Sequence, residues 1–178
     1  MKKILSVFLI LVICVGAFVG CSNERTKGAP NGMKAVKSDD TLSYSLYIPA
    51  HWIQDLSTGA VSAYCSSADL SNISMTQFTL SNKFSLSEQV DVYLEGLKNT
   101  FSDFTIDEKY PENVTLDGVA SSKIEYTATL AGDQYKFMNI ICVVGAEMYI
   151  FTYTSTVDLY DSHLEDVQNI LDNFAFIR

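Results

Sequence analysis

Three β-rich runs, "ASSKIEYTATL" from Ala120, "QYKFMNIICVV" from Gln134 and "MYIFTYTST" from Met148, follow one another with only "AGD" and "GAE" between them. Connections that short can join only antiparallel neighbours, because a parallel pair needs a crossover of a dozen or so residues. An antiparallel meander is therefore expected here. The second and third runs are nearly continuously apolar rather than alternating, as strands are when both of their faces are covered. The sheet then needs a layer on each side.

The flanking sequence supplies two helices for those layers. Ser85 and Glu88 in "SLSE" have capping-box spacing, and Leu86, Val90, Leu94, Leu97 and Phe101 then recur at helical intervals, which predicts a helix over 86–101. Ser162 and Glu165 repeat that spacing, with Tyr160, Leu164, Val167 and Leu171 on one stripe, and predict a second helix over 158–172. Upstream, "YSLYIP" from Tyr44 alternates and stops at a proline before His51 and Trp52, which reads as a first strand, a turn and an aromatic plug. "GAVSAYCSS" and "NISMTQFTLSN" read as strands joined by a turn around Asp69 to Asn72. Asp117 and Gly118 mark a tight turn, and "NFAFIR" reads as a short closing strand. The expected fold is α+β, an antiparallel sheet flanked by helices on both faces, spanning residues 41–178.

The N-terminal part has a different character. Lys2 and Lys3 precede Ile4 to Gly20, a stretch with no charge. As a helix it would reach roughly 25 Å, short of a bilayer core of about 30 Å, which favours a cleaved signal peptide over residues 1–20. The end of that stretch, "FVGC", resembles the lipobox of bacterial lipoproteins, in which a small residue before cysteine permits cleavage and the cysteine is then acylated. Gly20 and Cys21 match it, whereas Cys14 follows Ile13 and does not. The resemblance implies lipidation at Cys21 and attachment to the extracytoplasmic face of the cell membrane. Residues 21–40 combine Arg25, Lys27, Lys34 and Lys37 with Gly28, Pro30, Asn31 and Gly32 and show no apolar period, so they read as a flexible tether.

Charge and residue types narrow the function. The 178-residue chain has a formal net charge of −9, and loss of Lys2 and Lys3 would make it more acidic, so a nucleic-acid partner is not expected. Cys65 and Cys142 both sit in apolar, strand-like runs, where each reads first as a small buried hydrophobe; in an exported chain they are also candidate disulfide partners. The sequence lacks GxSxG, GxGxxG, a Walker loop, HExxH and CxxC, so no cofactor, metal site or catalytic residue is expected. A cysteine hydrolase would need Cys65 or Cys142 beside one of the 2 histidines, His51 or His163. Two carboxylate trios at helical spacing, Glu88, Asp91, Glu95 and Asp158, Asp161, Glu165, read as solvated faces rather than calcium sites. Tyr149, Phe151 and Tyr153, alternating along one strand, read as core packing rather than a ligand box.

Taken in order, "YSLYIPAHW", "FSLSEQVDVYLEGL", "VTLDGVASSKIEYT", "YIFTYTST" and "ILDNFAF" resemble the PsbP/Mog1-like family over Leu42 to Ile177. The resemblance implies an α/β/α sandwich. The family includes an extrinsic photosystem subunit, a Ran-binding protein and many bacterial lipoproteins, and none of the matching motifs is catalytic. The expected function is a membrane-anchored cell-envelope lipoprotein with a non-enzymatic binding or accessory domain that meets an envelope protein partner. The alternative is a small-ligand or cation-binding envelope protein, with a secreted hydrolase ranked below it.

Overall fold

The computed structural model describes residues 28–36, 43–57, 61–81 and 85–177. In chain order the elements are β1 (Met33–Ala35), β2 (Tyr44–Ser45), β3 (Tyr47–Pro49), β4 (Ile53–Asp55), β5 (Val61–Tyr64) and β6 (Asn72–Thr79). Helix α1 (Leu86–Thr100) follows, then β7 (Thr105–Ile106), β8 (Glu112–Leu116), β9 (Val119–Leu130), β10 (Asp133–Val144) and β11 (Glu147–Thr156). A 3-10 turn (Tyr160–His163) leads into α2 (Leu164–Asp172), and β12 (Ala175–Phe176) closes the chain. Helix α1 starts as its sequence dictates. The Ser85 hydroxyl accepts from the Glu88 amide at 3.3 Å, and the Glu88 carboxylate accepts from the Ser85 amide at 2.8 Å, which satisfies donors that the first turn would otherwise leave open.

The main sheet runs β4-β5-β6-β11-β10-β9-β7, with β8 also paired to β9, and every pair in it is antiparallel. The meander expected from the short connections is its centre. Asp117 and Gly118, at φ 47° and 73°, make the tight β8–β9 turn, where two successive positive φ values match the right-handed twist of the strands they join.

Each face of this sheet carries its own core. Along β10, Phe137 and Ile141 point to one face, where they meet Val90, Tyr93, Leu97 and Phe101 from α1. Met138, Ile140 and Cys142 point to the other, where Val167 and Ile170 from α2, Trp52 and the β11 residues Tyr149, Phe151 and Tyr153 pack. The β11 aromatics are at most 3% exposed, so the stripe is core. A strand whose alternate residues enter two different cores must be apolar throughout, which is why β10 and β11 do not alternate.

Two expectations change around the N-terminal half. "YSLYIP" is not one strand of the sheet: it divides at the buried Leu46 into β2, which pairs with β12, and β3, which pairs with β1. These ribbons lie over the α2-side core, where Tyr44 stacks on Phe174 with ring centroids 5.5 Å apart. Part of the tether expected over 21–40 is likewise built into the domain. Met33 is 5% exposed in the core, and the Lys34 ammonium donates to the carbonyls of Ala50 (3.0 Å) and Trp52, while its partial burial lowers its pKa. Apolar burial of Met33 and pairing of β1 to β3 outweigh the turn-rich composition around them. The signal stretch 1–20 and Cys21 lie outside the described residues.

Candidate functional site

Both histidines come to one corner of the molecule, where three segments far apart in sequence meet. The first is the β3–β4 corner with His51 and Trp52, the second the β5–β6 turn with Cys65 and Asp69, and the third the start of α2 with His163 and Asp166.

The β5–β6 turn is held by its own hydrogen bonds. The Cys65 amide donates to the Ser71 carbonyl at 2.8 Å, and the amides of Ser66 and Asp69 each donate to the other's carbonyl, at 3.0 Å and 3.2 Å. Asp69 turns one carboxylate oxygen, Oδ1, onto the Ser71 amide at 2.9 Å. Its other oxygen, Oδ2, lies 2.6 Å from His163 Nε2. The opposite ring nitrogen, Nδ1, lies 3.9 Å from Cys65 Sγ. The imidazole is therefore held between a carboxylate and a thiol. An Nε2 that faces a carboxylate this closely donates its proton to it, because an ionised carboxylate can only accept.

Behind His163, the Trp52 ring meets the imidazole edge-on with centroids 6.1 Å apart. Its indole N–H donates to Asp166 Oδ2 at 3.1 Å, and His51 Nε2 lies 3.5 Å from that same oxygen. Trp52 is wholly buried, which makes it the plug expected from sequence and gives the corner a rigid wall.

Two carboxylates dominate the electrostatics of this corner. Burial pushes the Cys65 thiol upward, and the charges of Asp69 and Asp166 push it further. Burial alone would also raise Asp69, but the hydrogen bonds from Ser71 and His163 outweigh it and hold the carboxyl below its ordinary range. The cluster thus combines a carboxylate held anionic, an imidazole and a thiol that keeps its proton. A nucleophilic cysteine requires the opposite field, one that favours the thiolate.

Other candidates stand as follows. Cys65 and Cys142 are both free. Cys65 follows Tyr64, which is opposite Asn72, so Cys65 falls level with Ser71, whereas Cys142, on β10 three strands from β5, is opposite Tyr149, itself opposite Gln77. That register separates the cysteines by about 20 Å along the strands and roughly 14 Å across them, beyond the ~7 Å that a disulfide can bridge. The disulfide candidate is thereby corrected: Cys142 is a core residue whose thiol burial pushes up to about 11. Among the described residues, the group of three or more Cys, His, Asp and Glu that converges is Cys65, Asp69 and His163, and the helical carboxylate trios do not converge. A shallow cleft of about 230 Å³ lies between α2 and β8–β10, lined by Val114, Lys123, Met138, Ile140, Gln168 and Asp172. It is smaller than the roughly 300–1,000 Å³ usual for small-molecule pockets.

The sequence named Cys65 and His163 separately and gave Asp69 only as a turn residue. The structure brings Cys65 to His163 and so meets the geometric condition set for a cysteine–histidine pair, with Asp69 as the missed third member. The available signal was the four-residue spacing from Cys65 to Asp69 across a serine-rich turn, which brings two side chains to one end of a hairpin.

An antiparallel sheet with one core and one helix on each face is the PsbP/Mog1-like fold, and solved structures agree. No family profile matches the sequence, and no curated protein does. The structure is similar to cyanobacterial PsbP (CyanoP) of Synechocystis sp. PCC 6803, with TM-score 0.60 and 15% identity over 90% of this chain and 99% of that one. It is also similar to LpqN of Mycobacterium tuberculosis, a protein involved in cell envelope biogenesis, with TM-score 0.57 and 12% identity over 82% of this chain and 91% of that one. The Ran-binding protein Mog1p of Saccharomyces cerevisiae matches with TM-score 0.54 and 9% identity over 76% of this chain and 90% of that one. Identities this low establish the fold.

Proposed function

We propose that this chain is an extracytoplasmic lipoprotein, held at the cell membrane by acyl chains on Cys21, whose PsbP/Mog1-like domain is a non-enzymatic accessory module for an envelope protein partner. The observation that carries the proposal is the order of Lys2 and Lys3, the uncharged stretch Ile4 to Gly20, and the Gly20–Cys21 step ahead of that domain. LpqN, with the same fold, supports an envelope setting. No helix among the described residues is long and apolar enough to cross a membrane. The field around Cys65, which favours the thiol over the thiolate, supports a binding role over a nucleophilic one.

Anchoring also limits reach. β1 begins at Met33, so the link from Cys21 spans at most roughly 40 Å when fully extended, and the domain works close to the membrane surface. The test is metabolic labelling in the native host with a clickable fatty acid. The wild-type chain is expected to take up label and to fractionate with membranes, whereas Cys21→Ala takes up none and leaves the membrane fraction. Label retained on Cys21→Ala would overturn the anchor.

A further inference from the structure

We propose that Cys65, Asp69 and His163 form a binding site for a zinc-type divalent transition metal. The Cys65 sulfur, one Asp69 carboxylate oxygen and one His163 ring nitrogen all lie within 4.8 Å of one another. In a tetrahedral zinc site with bonds of about 2.0–2.3 Å, neighbouring ligand atoms are roughly 3.3–3.6 Å apart. His163 presents Nδ1 to Cys65 at 3.9 Å and Nε2 to Asp69 at 2.6 Å, and one of these nitrogens serves as the ligand, so the three ligand atoms have to close from within 4.8 Å of one another to that spacing. Side-chain rotation of the three half-buried residues supplies that closure.

The donor set selects the class of metal. One sulfur, one imidazole nitrogen and one carboxylate oxygen suit zinc and its neighbours in the transition series, whereas calcium and magnesium take oxygen ligands. Three protein ligands leave a fourth position open to water or to a partner's side chain. The charge balance points the same way. The carboxylates of Asp69 and Asp166 converge on this corner, and a bound dication offsets their negative field.

The framework around the ligands is built to hold them. Asp69 Oδ1 is fixed by the Ser71 amide, which leaves Oδ2 directed at the cluster, while Trp52 backs the His163 ring and ties it through Asp166 to α2. Support of this kind, at one remove from the ligands, orients them and is worth about 10–100-fold in metal affinity where it has been removed. The site departs from the sequence reading, which expected no metal ligands. It also stands apart from the anchor: a chain without lipid on Cys21 can still bind metal, and a chain without metal can still be lipidated.

The experiment is a cobalt(II) titration of the reduced full chain in detergent, in a Cys14→Ser/Cys21→Ser background that removes the N-terminal thiols. Equimolar binding is expected, with a thiolate-to-cobalt charge-transfer band and the visible bands of four-coordinate cobalt, all displaced by zinc. Cys65→Ser should abolish the charge-transfer band. His163→Ala and Asp69→Asn should each weaken binding at least tenfold, with unchanged circular dichroism in the metal-free state. Should a variant fail to fold, zinc protection of Cys65 from alkylation in the wild-type side chains, mapped by mass spectrometry, supplies the same answer. Absence of the charge-transfer band, unchanged affinity in folded Cys65→Ser and His163→Ala, or alkylation of Cys65 at equal rates with and without zinc would overturn the site.

Discussion

At the scale of single residues, the two cysteines of the domain have opposite surroundings although their sequence contexts look alike. Cys142 is wholly buried among Met138, Ile140 and the β11 aromatics, and its thiol pKa rises to about 11 from an ordinary 9.0. The folded state holds the proton more tightly than the unfolded chain does. Its contribution to stability is therefore complete below pH 9 and is lost as pH rises towards about 11. Cys142→Ala is expected to flatten this part of the alkaline limb by on the order of 2 kcal/mol, read from chemical denaturation at several pH values on both proteins. Cys65, at the end of β5, instead faces His163 and two carboxylates. Both cysteines were visible in the sequence, but their different environments were not. Apolar flanks show that a thiol is near a core, and only the pairing register shows which groups stand across from it.

At the scale of elements, local chemistry was readable wherever a neighbour within four residues satisfies it. Helix α1 begins at the residues its capping box marks, and Asp117 and Gly118 make the turn their types favour. Ser85→Ala removes the hydroxyl that accepts from the Glu88 amide and is expected to cost about 1 kcal/mol, seen as a lower denaturant midpoint with unchanged slope. The same reasoning fails at the second helix. Ser162 and Glu165 have capping-box spacing, yet Ser162 falls inside the 3-10 turn and the α2 cap position is His163, whose side chain makes no capping bond. His163 turns instead to Asp69 and Cys65. A long-range contact has taken the place of a local cap. The closing strand β12 forms as expected but pairs with β2 rather than with the main sheet, because strand chemistry carries no address for its partner.

At the scale of the whole molecule, Trp52 joins the two ends of the domain. It is wholly buried in the α2-side core, and its indole N–H reaches Asp166, which is 114 residues further along the chain. Trp52→Ala is expected to cost ~3–5 kcal/mol, the range for deleting a large buried aromatic. A domain stable by about 5–15 kcal/mol would lose a large part of its margin, which thermal denaturation would read as a pronounced fall in Tm. A fall of only a degree or two would mean that the corner behind His163 can collapse around the gap.

The sequence by itself determined the α+β class, the meander, the first helix and the two-sided sheet. Turn length and the period of apolar residues act within a few positions of the chain, and those features depend on nothing further away. Only the tertiary structure decided that β2 and β3 leave the main sheet, that Met33 and Lys34 belong to the domain, and that Cys65, Asp69 and His163 share one corner. Each of those outcomes depends on residues tens of positions apart being brought together by packing. Separation along the chain does not encode that proximity; it exists only in the packed molecule, where α2 and the β3–β4 corner lie against the same core.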